Sequence, residues 1–332
     1  MRKIFLLILV IGFAVLIYFN VYIRGDINPS NKNIYLMVKP GDGVGKILNR
    51  ADSLNLDISK TAAKLYLRLY GAERKIAPGR YTIEADDSRL DLLKRIRSGE
   101  IDYVWITVPE GLTVNRTIEV LARRSGRTVE EFLVLANDPE FLNSLPFSPE
   151  GLEGYLFPET YKAPYYADAD YLITTMVNAL YEFLDSDLMA RADEIGFDVG
   201  ELLTFASLIE AETADIEEMP VISSVFHNRL KRNMLLQCDP TVIYALGGLD
   251  RPLYTKDLKY DSPYNTYKYK GLPPGPINSP GQDAIRAALH PDSTNYLFFV
   301  ADVNGKHIFS VTNAQHEKAR QEIKRKRRAL NN

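Results

Sequence analysis

The chain has 332 residues, 46% hydrophobic and 25% charged, with a formal net charge of -3. That is enough apolar content to bury a core in one large or two ordinary domains, and it excludes a disordered polymer. The slight acidity argues against a general nucleic-acid binder, which needs a basic excess. The single Cys238 excludes an internal disulfide and any metal site built from several thiolates.

The first element is IFLLILVIGFAVLIYFNVYI, Ile4 to Ile23, an uncharged run after Met1-Arg2-Lys3. Its length suits a helix crossing roughly 30 Å of hydrocarbon. Tyr18, Asn20 and Tyr22 do not resemble a small-residue cleavage site, so the run reads as a retained transmembrane anchor. Arg2 and Lys3 precede it and the neutral Arg24-Gly25-Asp26 follows, which places the start in the cytoplasm and the rest outside. The expectation is a single-pass protein of the cell (inner) membrane with an extracytoplasmic, periplasmic body. Residues 24–33 form a polar linker.

Residues 34–108 read as a small α+β module. A strand ends at Lys39, Pro-Gly-Asp-Gly turns the chain, and Val44, Ile47, Leu48, Ala51 and Leu54 follow helical spacing. Ile76 to Ile83 gives a turn and strand, Ser88 to Ser98 a helix through Leu90, Leu93 and Ile96, and Asp102 to Val108 a further strand. Such a unit is either a spacer or a carbohydrate-binding module. Residues 109–332 read as the larger domain, helical to about Arg232 and richer in turns and strands thereafter. Within it Gly154 to Tyr161 is an aromatic loop beside Glu153 and Glu159, suited to one wall of a sugar cleft or to a core.

The helix in TFASLIEAETADIEE, from Thr204, carries carboxylates within an apolar stripe of Leu202, Leu203, Phe205, Ala206 and Ile209. Three and four positions from Glu210 lie Ser207, Ala206, Thr213 and Ala214, all small. Around Glu212 lie Ile209, Leu208, Asp215 and Ile216, which crowd it or leave it solvated. Glu210 is therefore the expected site of a neutral carboxylic acid able to protonate a glycosidic oxygen. The alternative is a buried ion pair with Arg229.

Further on, the strings ASLIEAET, VFHNRL, LQCDPTVIYALG, SPYNTY, GLPPGPI with NSPG, and LHP before NYLFFVAD, together with LEGYLFPETY upstream, cover residues 152–302. In this order they resemble the YceG-like (MltG) endolytic murein transglycosylases. The resemblance implies an α+β fold with an N-terminal transmembrane helix, a small LysM-like module, and a larger mixed α/β catalytic domain whose helical part carries the catalytic glutamate. It implies cleavage of the MurNAc-GlcNAc β-1,4 bond of peptidoglycan without water, leaving 1,6-anhydroMurNAc ends, with Glu210 as acid and then base. Glu153, Gln237, Asp239, Tyr264, Asn265 and Tyr267 would bind substrate. Neither cofactor nor metal is expected, and His227, His290, His307 and His316 form no spaced ligand motif. Partners would be glycan strands and peptidoglycan synthases, the role being to end nascent strands.

Ala211, Cys238 and His227 depart from the family pattern, where Lys, Thr and a larger apolar residue are common. A hydrolytic muramidase, using Glu153 or Asp239 to orient water, and a non-catalytic wall-binding scaffold remain as alternatives. The basic run Lys324 to Arg328 reads as a solvated tail or as a dock for anionic lipid or wall polymer.

Overall fold

The computed structural model describes residues 2–30, 32–72 and 75–330. Met1 of the amino-terminal reading and Asn31 of the linker lie outside them. The chain divides into two compact units. The first comprises residues 1–106, 124–127 and 162–168, and the second comprises residues 107–123, 128–161 and 169–332.

The first unit begins with α1 (Arg2–Ile23). The transmembrane expectation is corrected here, because no helix among the described residues is long and apolar enough to cross a membrane. The carboxyl end of α1 belongs to a protein core. Ile23 is buried with Ile27, Phe19 and Tyr22 pack beside them, and Arg89 lies over the Tyr22 ring. The run from Ile4 to Tyr18 that remains would rise only about 22 Å as a helix, short of a bilayer core.

β1 (Ile34–Val38) pairs antiparallel with β2 (Gly79–Ile83), with Ile34 opposite Ile83 and Val38 opposite Gly79. Alternate residues Leu36, Val38, Tyr81 and Ile83 point inward, as the period of two dictates. They meet the apolar faces of α2 (Val44–Ser53), α3 (Lys60–Leu69) and α4 (Arg89–Ser98), through Ile47, Leu48, Leu67, Leu92, Leu93 and Ile96. Ser88 and Asp91 close a capping box at the start of α4. The run after Asp102 does form a strand, β3 (Tyr103–Thr107). It pairs with β4 (Thr160–Pro164) rather than with β1 and β2, and both strands are divided between the two units.

The second unit is mainly helical. α5 (Val114–Ser125), whose last two residues count with the first unit, α6 (Val129–Ala136), α7 (Pro139–Ser144), α8 (Ala169–Phe183) and α9 (Ser186–Ile195) lead to α10 (Val199–Glu212). α11 (Met219–Lys231), α12 (Asp239–Ala245) and α13 (Gln282–Leu289) follow. An antiparallel ribbon of β5 (Phe298–Ala301) and β6 (His307–Ser310) then precedes α14 (Asn313–Leu330).

α10 is the axis of this core. A capping box of Asp198 and Glu201 starts it, and Leu202 through Ile209 are all buried, so the helix is enclosed rather than amphipathic. The proline-rich loop is tied to its middle: the Ile277 amide donates to Ser207 Oγ at 3.1 Å and Asn278 Nδ2 to the Ser207 carbonyl at 2.9 Å. α10 stops at Glu212, where Thr213 turns extended at φ -151°, ψ 143°.

Candidate active site

Where α10 ends decides how its two carboxylates differ. Glu210 and Glu212 are two positions apart, about 200° around a helix, and so face different neighbours. The helix stops at Glu212, so residues 213–216 are not its helical neighbours or those of Glu210, and side chains distant in sequence surround both.

Glu210 faces the start of α13. Its Oε2 accepts the Gly281 amide at 3.0 Å, at the end of a helix where exposed N–H groups and the dipole favour an anion. Burial pushes its carboxyl up, the Gly281 bond pulls it down, and the nearby Glu110 and Asp283 push it up again. Glu110 packs so closely on Gly281 that a Cβ there would lie 2.0 Å from its Oε1. Arg229, the alternative partner weighed for Glu210, is engaged elsewhere: it donates to the carbonyls of Leu297 (2.7 Å), Leu235 (3.3 Å) and Leu236 (2.6 Å).

Glu212 opens on a cavity of about 610 Å³, walled by Arg229, Gln237, Asp239, Tyr267 and His307 among others. Burial is the chief cause that pushes its carboxyl up to about 7, with Asp239 adding to the rise. The Cys238 thiol, which donates a hydrogen bond to it, and the nearby His307 and Arg229 act the other way. Its place in the last turn of α10 also disfavours the anion. A carboxyl raised toward neutrality in this way suits a side chain that both gives and takes a proton.

The cavity walls are fixed by a second layer of bonds. Tyr267 donates its hydroxyl to Asp239 Oδ1, and burial followed by that bond pushes the phenol up, so it stays a donor. Gln237 is held with φ at +50°, a left-handed backbone that costs a non-glycine residue energy, and its amide donates to the Thr266 carbonyl at 3.1 Å. His307 is gripped twice by Glu218, through its backbone N–H at 2.9 Å and its Nδ1 at 2.7 Å. Cys238 is fully buried, and burial raises its thiol well above the usual range, so it serves as a donor and not as a nucleophile.

The expected site residues therefore separate. Gln237, Asp239 and Tyr267 share the cavity with Glu212. Glu153 and Tyr264 line a second cavity of about 430 Å³, beside the proline-rich loop. There Glu153 accepts the Val114 amide (2.9 Å) and the Tyr244 hydroxyl (3.2 Å), and burial lifts its carboxyl to about 7. Asn265 lines neither cavity. It is fully buried and staples its own loop, donating to the Leu258 and Tyr260 carbonyls and accepting from the Tyr267 amide. In the aromatic loop Leu156, Phe157 and Tyr161 are buried, and only Tyr155 reaches the second cavity. The sequence reading weighed Glu212 and set it aside as crowded or solvated, and it did not bring His307, its clamp Glu218 or Arg229 to the cavity. The signal available for Glu212 was its proximity to the point where an apolar helix gives way to the polar run TADIEE.

The family model described as the YceG-like family matches residues 36–322. This chain belongs to the YceG-like family. It is 34% identical over 311 residues to the endolytic murein transglycosylase of Bacillus subtilis, a match covering 88% of this chain and 85% of that relative. It is 32% identical over 317 residues to the endolytic murein transglycosylase of Streptococcus pneumoniae, covering 86% of this chain and 57% of that longer relative. A crystal structure of a yceG-like protein from Listeria monocytogenes superposes with a TM-score of 0.61 at 30% identity, covering 87% of this YceG-like chain and all of that one.

Proposed function

We propose that this YceG-like chain is an endolytic murein transglycosylase, a lyase acting on peptidoglycan, with Glu212 rather than Glu210 as its proton-transfer group. The observation that carries the assignment is the Glu212 carboxyl held near 7 in a cavity shared with Gln237, Asp239 and Tyr267. Glu212 protonates the bridging oxygen of the MurNAc-GlcNAc bond, and the bond breaks toward an oxocarbenium-like state. The resulting carboxylate takes the proton from the 6-hydroxyl of the same MurNAc, whose oxygen closes the 1,6-anhydro ring. Proton and electron pair balance without water, so one carboxyl suffices. Asp239, hydrogen-bonded by Tyr267, supplies negative charge opposite the developing cation.

Asp239 also supports a hydrolytic reading, since a second carboxylate in the same cavity can orient water. Digestion of purified sacculi by the full chain, with mass analysis of the glycan ends, separates the two. Anhydro ends support the lyase, reducing ends the hydrolase, and uncut sacculi a binding scaffold. Because peptidoglycan lies outside the cytoplasm, the reading places the second unit there, acting on nascent strands beside the synthases that make them. The first unit, by its two-stranded sheet and three helices, is proposed as a LysM-like glycan-binding module.

A further inference from the structure

α14 carries more of the site than the motifs suggest. Ala319 and Ile323, one turn apart, are buried where the helix packs on β5 and β6. Beside that packed face Arg320, Lys324, Arg327 and Arg328 recur at helical spacing and line a trough of about 460 Å³. The trough shares Val300, Glu317 and Arg320 with the cavity that holds Glu212, so the two are neighbours along one surface of the second unit.

The cations are sorted. Arg320 pairs with Glu317 at 2.8 Å, and Lys326 turns to Asp302 at 2.8 Å. Lys324, Arg327 and Arg328 border the trough with no carboxylate within ion-pair distance among the described residues; Arg327 reaches the Ala301 carbonyl at 3.4 Å and lies near enough to Asp302 to lower its carboxyl. Arg325 of the same run stays outside the trough, but the three cations inside it are like charges along the face that continues the cavity, and they repel one another until an anion arrives.

We propose that this trough binds the carboxylates of the peptide stems borne by the glycan, holding a stem while its strand lies across Glu212. The proposal rests on the reading of the chain as acting on peptidoglycan. Every MurNAc can carry a stem, and each stem offers several carboxylates a short reach from the sugar chain. From Arg320 to Arg328 the helix rises about 12 Å, room for more than one such group.

The test uses the full chain and a triple variant, Lys324→Gln with Arg327→Gln and Arg328→Gln. Arg320 is left intact because it borders the first cavity. Binding to soluble, uncross-linked glycan strands is measured by equilibrium titration with stems intact and after amidase has stripped them, and cleavage is followed on both. The wild type should bind stem-bearing strands about tenfold more tightly than stripped ones, a preference shrinking with added salt. The triple variant should lose that preference while cleaving stripped glycan at the wild-type rate. A wild type with no preference, or a variant that keeps it, overturns the proposal. So does a variant that loses only its hold on phosphatidylglycerol vesicles, which would assign the trough to lipid. Failure of the wild type to cut either substrate would instead sink the catalytic reading, since the binding comparison stands without cleavage.

Discussion

Glu210 and Glu212 sit two residues apart on one helix and lead different lives. Glu210 meets the start of α13 and accepts a backbone amide, while Glu212 meets a cavity and little but a thiol to share its proton with. Both are pushed up by burial, so the shift alone does not separate them. Access does: a proton donor needs room for the oxygen that receives it, and a carboxylate closing a helix end is already spoken for.

The comparison can be broken most sharply by substitution. Glu212→Gln should lower the formation of anhydro ends by about 10³-fold, the range expected for loss of a general acid and base, while leaving binding to sacculi intact. Glu210→Gln keeps an acceptor for Gly281 and should stay within about threefold of wild type. A larger loss from Glu210→Gln than from Glu212→Gln would put the acid on the other face of α10. Next in size, Asp239→Asn should cost about 10²-fold in kcat by removing the charge opposite the cation.

The pH dependence sharpens the same contrast. Catalysis begins from protonated Glu212, so kcat/KM should fall about tenfold per unit above pH 7, where that carboxyl loses its proton. Stability follows the same sign. The folded pKa lies above the ordinary 4.5, so the contribution is full below pH 4.5 and is lost as pH rises through about 7. Thermal melts of wild type and Glu212→Gln should converge at low pH, and the variant should decline less toward neutrality. A smaller change is expected from Asn265→Ala, which orphans two loop carbonyls. It should destabilise by about 2 kcal/mol in a denaturant titration, with kcat per folded molecule little altered.

Much of this was legible in the sequence, and the gaps have physical causes. The strings around LQCDPT and SPYNTY located Gln237, Asp239 and Tyr267, which do meet in one cavity. The choice between the glutamates was read from helical neighbours, of which Thr213 to Ile216 never take up helical positions because α10 ends at Glu212. What surrounds Glu212 comes instead from His307 on a distant strand and from Cys238 after α11, pairings that no local period encodes. The apolar amino terminus misled for a related reason. Hydropathy sees twenty uncharged residues, but Phe19, Tyr22 and Ile23 serve the first unit's core through Ile27 and Arg89, contacts made by folding. Asn265 sits inside a matched motif and yet works as a staple, because a motif records what is retained without saying whether it touches substrate.

Gln237 offers a last consequence. Its backbone is twisted into a region where glycine would rest at ease, so Gln237→Gly should give a sturdier protein that melts later. The same exchange strips an amide from the wall facing the sugar, and such a variant should turn over more slowly. Robustness and turnover are opposed at this one position, and a mutant improved in both would mean that the twisted residue has no work to do.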